Sequence, residues 1–144
     1  GRGARGWARY ALCWHGAAAL VLGRPRAAVE RLDGALASMP ADPEALTWRG
    51  EAKRRLGDLA GARRDFDAAL ALEEDCFWAR ANRAALHAAR GDAAALRRDL
   101  DALPFEVRAW FDAHATLDAG LRAAGGMRRT EEYLYPLWLG TPPG

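Results

Sequence analysis

Three histidines, two cysteines and two Asp-x-Asp pairs are the residues of this 144-residue chain whose types lend themselves to chemistry. Cys13 and His15 come nearest to metal-ligand spacing. Two positions along a helix, however, turn side chains apart by about 200°, so the pair does not share an ion. His87 and His114 read as packed or hydrogen-bonded histidines, and Cys13 and Cys76, with no CxxC spacing, as small buried thiols in a reducing compartment. Asp65 with Asp67, and Asp99 with Asp101, invite a reading as paired carboxylates. Each pair follows two arginines, in ARRDFDAAL and LRRDLDAL, and reads as a wet helix face with i,i+4 surface pairing. Phosphate loops, nucleophile elbows and Cys/His ligand sets do not occur. The chain therefore reads as non-enzymatic, with no cofactor and no metal expected.

Composition narrows the partners. Apolar residues make up 51% and charged residues 28%, enough to build a core and too apolar for disorder. Formal net charge is only +2, with the arginines interleaved among acids. Nucleic-acid binding wants a concentrated basic face, so it is not expected. The early arginines and the apolar stretch after them superficially resemble a secretory signal, but His15 interrupts the stretch and Arg24-Pro25-Arg26 stands where a small-residue cleavage site would be. No run has the length to span a bilayer. The expectation is a cytoplasmic protein with no membrane partner. An alanine- and arginine-rich bias, with Lys53 the sole lysine, resembles a GC-rich bacterial source, and the missing initiator Met suggests a piece cut from a longer protein.

The two RRD phrases belong to a wider repetition. Gly23, Gly57 and Gly91 recur at a 34-residue interval, as do Ala28, Ala62 and Leu96, and Leu32, Phe66 and Leu100. Gly16, Gly50 and Ala84 form a further set, and Ala35, Ala69 and Leu103 another. Several columns in one register mark an internal repeat. Each unit reads as two helices: Asp42-Pro43 caps and opens one, Gly57-Asp58 closes it, and Leu59, Ala62, Phe66, Ala69 and Leu70 make the buried stripe of its partner. The same logic places helices over Trp7–Leu22, Arg26–Ser38, Cys76–Arg90 and Ala93–Leu103. Phe105–Ala124 leaves the register with Val107, Trp110, Phe111, His114, Leu117 and Leu121 on one face, the expected capping helix of the stack.

A 34-residue helix–turn–helix unit with small residues at the helix crossing resembles the tetratricopeptide repeat (TPR) family. Gly16, Gly50 and Ala84 stand at the family's small position in the first helix, and Gly23, Gly57 and Gly91 at its turn. Ala28 and Ala62, then Leu32, Phe66 and Leu100, then Ala35 and Ala69 follow its second-helix pattern. The usual aromatic late in the first helix is replaced by Ala19, Lys53 and His87. The resemblance covers about Trp7 to Leu103. It implies an all-α fold, a right-handed α-solenoid of antiparallel helix pairs, with repeats near 9–42, 43–76 and 77–104, a capping helix over 105–124 and a C-terminal aromatic and proline tail over 125–144.

The resemblance also implies a concave groove lined by the first helix of each unit. Helical projection then selects Tyr10, Trp14, Glu44, Trp48, Glu51, Arg54, Arg55, Trp78 and Asn82 as a peptide-binding surface, with tryptophan faces for apolar side chains and Arg54-Arg55 for an anion. The carboxylate clamp of TPR co-chaperones is missing: Cys13, Ala17, Trp48, Trp78 and Asn82 stand where its lysines, asparagines and arginine would be. In the tail, Tyr133, Tyr135, Leu137 and Trp138 within YLYPLWLG are too apolar to be left in water and are expected to dock on the array or on a second copy. The function expected is a protein–protein interaction module that binds a peptide segment of a partner or of its parent protein. The alternatives are self-association through the tail, giving a homo-oligomer, and an accessory substrate-recruiting domain of a larger bacterial enzyme.

Overall fold

In a computed structural model of the chain, the structure describes the backbone of residues 2–105 and the side chains of residues 11–105, that of Ala89 excepted. Six helices follow one another: α1 (Arg2–Val21), α2 (Pro25–Ser38), α3 (Pro43–Arg55), α4 (Leu59–Leu72), α5 (Phe77–Ala89) and α6 (Ala93–Asp101). The described residues are all-helical. The starts of α2, α4 and α6 are 34 residues apart, and so are those of α3 and α5. Helix α1 begins at Arg2, ahead of the expected Trp7. The expected capping helix beyond Phe105, the tail and its four apolar residues lie outside the described residues.

The local chemistry that cuts the chain into these helices recurs with the repeat. Gly23, Gly57 and Gly91 each take a positive φ, of 75°, 86° and 70°, a conformation that costs a residue with a Cβ roughly 1 kcal/mol or more. The amide of each glycine donates to a carbonyl three residues back, and the next amide reaches five back, as in Asp58 N to Lys53 O at 2.9 Å. This is the Schellman closure, which satisfies the last carbonyls of α1, α3 and α5. The following helices are opened by side chains. Asp58 accepts from Gly61 N (2.9 Å) and Asp92 from Ala95 N (3.1 Å), each cap contributing about 1 kcal/mol. In the first unit Pro25 at the helix start does this job without a capping side chain.

Within each unit a bulky residue on the second helix fills the space left by a missing side chain on the first. Leu32 lies where a Cβ on Gly16 would be, and a Cβ on Gly50 would stand 2.6 Å from Cε1 of Phe66. Leu32 and Phe66 are fully buried, with Ala28, Ala35, Ala62 and Ala69 buried beside them. Successive helices pack against one another from α1 to α6, and α1 touches α3 and α3 touches α5. The first helices of the units thus form one continuous layer. Leu20, Ala45, Leu46, Trp48 and Ala52 join this layer to Leu32 and Ala35 in a single cluster.

The RRD phrases divide differently from the expected wet face. Their arginines, Arg63, Arg64, Arg97 and Arg98, are exposed, but Asp65 and Asp99 are 4% and 3% accessible. Arg49 donates to both oxygens of Asp65 at 2.9 Å and to Asp33 at 2.8 Å. Arg83 repeats this on Asp99 (2.8 and 2.6 Å) and Asp67 (2.9 Å). Lys53 adds a second cation to Asp65 at 3.1 Å, and His87 takes the equivalent place on Asp99 at 3.3 Å. Lys53 and His87 are equivalent positions of the 34-residue repeat, and each directs a nitrogen at the buried aspartate of its unit. Each arginine therefore grips an aspartate of its own unit and one of the unit before it. The first unit has the charge reversed: Arg31 stands where Asp65 and Asp99 stand, and it donates to the carbonyl of His15, the counterpart of Arg49, at 3.1 Å. Asp67 and Asp101 do make the expected i,i+4 contacts, to Arg63 at 3.7 Å and Arg97 at 3.9 Å.

Candidate functional site

Helices α3 and α5 run side by side in the first-helix layer, and an open cavity of about 440 Å³ lies between their N-terminal ends. Trp48, Phe77 and Trp78 form its aromatic walls. The rings of Phe77 and Trp78 are 4.4 Å apart between centroids and tilted by 51°. Asp42, Glu44, Glu73 and Asp75 form the rim, and Pro43, Thr47 and Cys76 complete the lining. The local sequence accounts for each position. Asp42 caps α3 by accepting from Glu44 N (3.1 Å) and Ala45 N (3.3 Å), which holds its carboxylate at the mouth. The α4–α5 connection carries Glu73 and Asp75 and is pinned by Cys76 N to Glu73 O (3.0 Å) and Phe77 N to Asp75 O (2.8 Å).

The polar groups inside the cavity are quiet. The Thr47 hydroxyl donates to Pro43 O at 2.7 Å and lies 3.9 Å from Cys76 Sγ. Burial pushes the Cys76 thiol up, against the smaller opposing pull of the Ala79 and Thr47 hydrogen bonds, so it stays protonated and a poor nucleophile at neutral pH. Among the described residues no group of three or more His, Cys, Asp or Glu side chains has the arrangement to hold a metal ion.

Of the nine residues expected to line a groove, the cavity brings together Glu44, Trp48 and Trp78. Trp48 is 4% accessible and part of the core, whereas Trp14 on α1 is 49% accessible and outside the cavity lining. Tyr10 falls within α1, with its side chain outside the described ones. Further along α3, Glu51 is fully buried and is gripped by the two arginines after it. Arg54 reaches it through Nη2 (2.7 Å) and Nε (3.0 Å), and Arg55 through Nε (3.1 Å). Such charge-assisted bonds offset the desolvation of a buried carboxylate, so part of the charge foreseen for an incoming anion is matched by Glu51. Asn82 is fully buried, its amide nitrogen donating to Trp78 O at 2.7 Å and its oxygen unbonded among the described residues.

Sequence reasoning missed the loop residues Glu73, Asp75 and Cys76, the capping Asp42, and Phe77. The signal for them was their position: the segment between two units abuts the first turn of the next helix of the layer, which helical projection alone does not reveal. No helix among the described residues is long and apolar enough to cross a membrane. No protein-family model matches this sequence, and no curated protein matches it.

Proposed function

We propose that the chain is a non-catalytic interaction module, a TPR-like α-solenoid whose first-helix layer forms the concave side and binds a peptide segment of a partner protein. The observation that supports this reading is the aromatic cavity between α3 and α5. It opens on the layer that the family resemblance assigns to the ligand, and it gathers residues from two units where an extended chain would cross. Its walls offer large rigid faces for apolar side chains, with polar groups around the mouth, a pattern common to peptide-binding surfaces. A cytoplasmic setting suits two cysteines that remain thiols.

The test is retention of a degenerate peptide library on the immobilised chain, compared with a Trp78→Ala variant whose far-UV circular dichroism matches wild type. Trp78 suits this purpose because it is half-buried, whereas Trp48 is part of the core and its loss would disturb the fold. At least tenfold weaker retention by Trp78→Ala is the expected outcome, corresponding to about 1.4 kcal/mol at a contact of this kind. Equal retention by both proteins refutes the reading.

A further inference from the structure

The α3–α5 cavity carries a sign opposite to that of the chain. Four carboxylates ring it and, among the described residues, no lysine or arginine lines it, although the chain as a whole has a net charge of +2. The helix ends and the capping role of Asp42 oppose this negative field. The N-termini of α3 and α5 end here, each carrying roughly half a positive charge, and Asp42 uses one oxygen for capping. Glu73 and Asp75 carry the argument, because both are exposed and neither makes an ion pair with a described residue. Arg80, on the same helix as Trp78, is engaged elsewhere, with the Glu74 carbonyl at 3.2 Å and Asp99 at 3.7 Å.

The walls narrow the choice of cation. A bare metal ion would need converging ligands, and the described carboxylates do not converge. Aromatic faces beneath an acidic rim suit a cation carried on an apolar stem: the stem packs against the rings while the charge meets both the π-faces and the carboxylates. A cavity of about 440 Å³ has room for one such side chain. Resting on the peptide-binding reading above, we propose that this cavity takes the arginine or lysine side chain of the bound segment, so that the partner is a basic peptide.

The experiment uses the full chain and two probes of nearly the same shape, Nα-acetyl-arginine amide and Nα-acetyl-citrulline amide, titrated while the amide and indole NMR resonances of Trp48, Phe77 and Trp78 are followed. The arginine probe is expected to shift these resonances saturably. Its affinity should fall at least threefold between low and moderate salt and at least fivefold in the doubly substituted Glu73→Gln, Asp75→Asn chain, with citrulline leaving the resonances in place. Both substituted positions are exposed, and the far-UV spectrum verifies that the double variant folds. Equal shifts from both probes, or undiminished arginine binding by the double variant, overturn the proposal. The peptide library separates this failure from that of the parent reading. Retention that ignores basic residues but is lost in Trp78→Ala removes the cation preference and leaves the groove standing, whereas retention of no peptide removes both.

Discussion

Arg49 and Arg83 each hold two aspartates, and the two members of each pair are not equivalent. Asp65 and Asp99 are buried, whereas Asp67 is about half exposed. Hydrogen bonding to Asp65, and then to Asp33, binds the Arg49 proton more tightly than in an isolated arginine, despite burial. Replacing Asp65 with Asn leaves Arg49 and Lys53 without their shared anion. The expected loss is about 3 kcal/mol of unfolding free energy in urea, against less than about 1 kcal/mol for Asp67→Asn. His87 adds a pH dependence. Burial lowers its proton affinity, outweighing the attraction of Asp99, so the unfolded chain takes up the proton before the native state does. Stability is therefore expected to fall as pH drops through about 6.5, with the native imidazole charging only at lower pH. In His87→Gln, unfolding curves measured on either side of that pH should show a shallower fall. These pairings escaped the sequence reading because an aspartate beside arginines looks like a solvated face. The legible clue was the 16-residue offset from Arg49 to Asp65 and from Arg83 to Asp99, together with its substitution by His15 and Arg31 in the first unit.

At the level of the helices, far more was legible, because their limits depend on local chemistry. Gly57-Asp58 and Gly91-Asp92 announce both the end of one helix and the cap of the next, and the observed helices begin where those residues place them. The crossing of the two helices in a unit was equally visible, as a small residue paired with a large one. Gly50→Ala should destabilise the chain by about 1–3 kcal/mol, since the added methyl meets the Phe66 ring and the core must shift. The third unit carries Ala84 with Leu100 at the same crossing. Adding Phe66→Leu to Gly50→Ala is accordingly expected to recover part of that loss, a non-additivity that a double-mutant cycle in urea measures directly. The cavity was only half legible at this scale. Helical projection found Glu44, Trp48 and Trp78, but it has no term for a loop, and Glu73, Asp75 and Cys76 enter from one.

Across the units, the second and third each reach back with an arginine, and the first and second each offer an aspartate forward, Asp33 to Arg49 and Asp67 to Arg83. The units are thus joined by a coupling with a direction, a plug on one side and a socket on the other, and the first unit has a socket without a plug. Middle units should therefore be interchangeable parts and the first one a terminus. A second copy of residues 43–76 spliced between Cys76 and Phe77 would present Arg49 to Asp67 and preserve every link. A copy of residues 9–42 in the same place would present His15 to Asp67 and break the chain of couplings. The first insertion is expected to raise the urea midpoint of unfolding and the second to lower it, so that the array can be lengthened from within but not restarted.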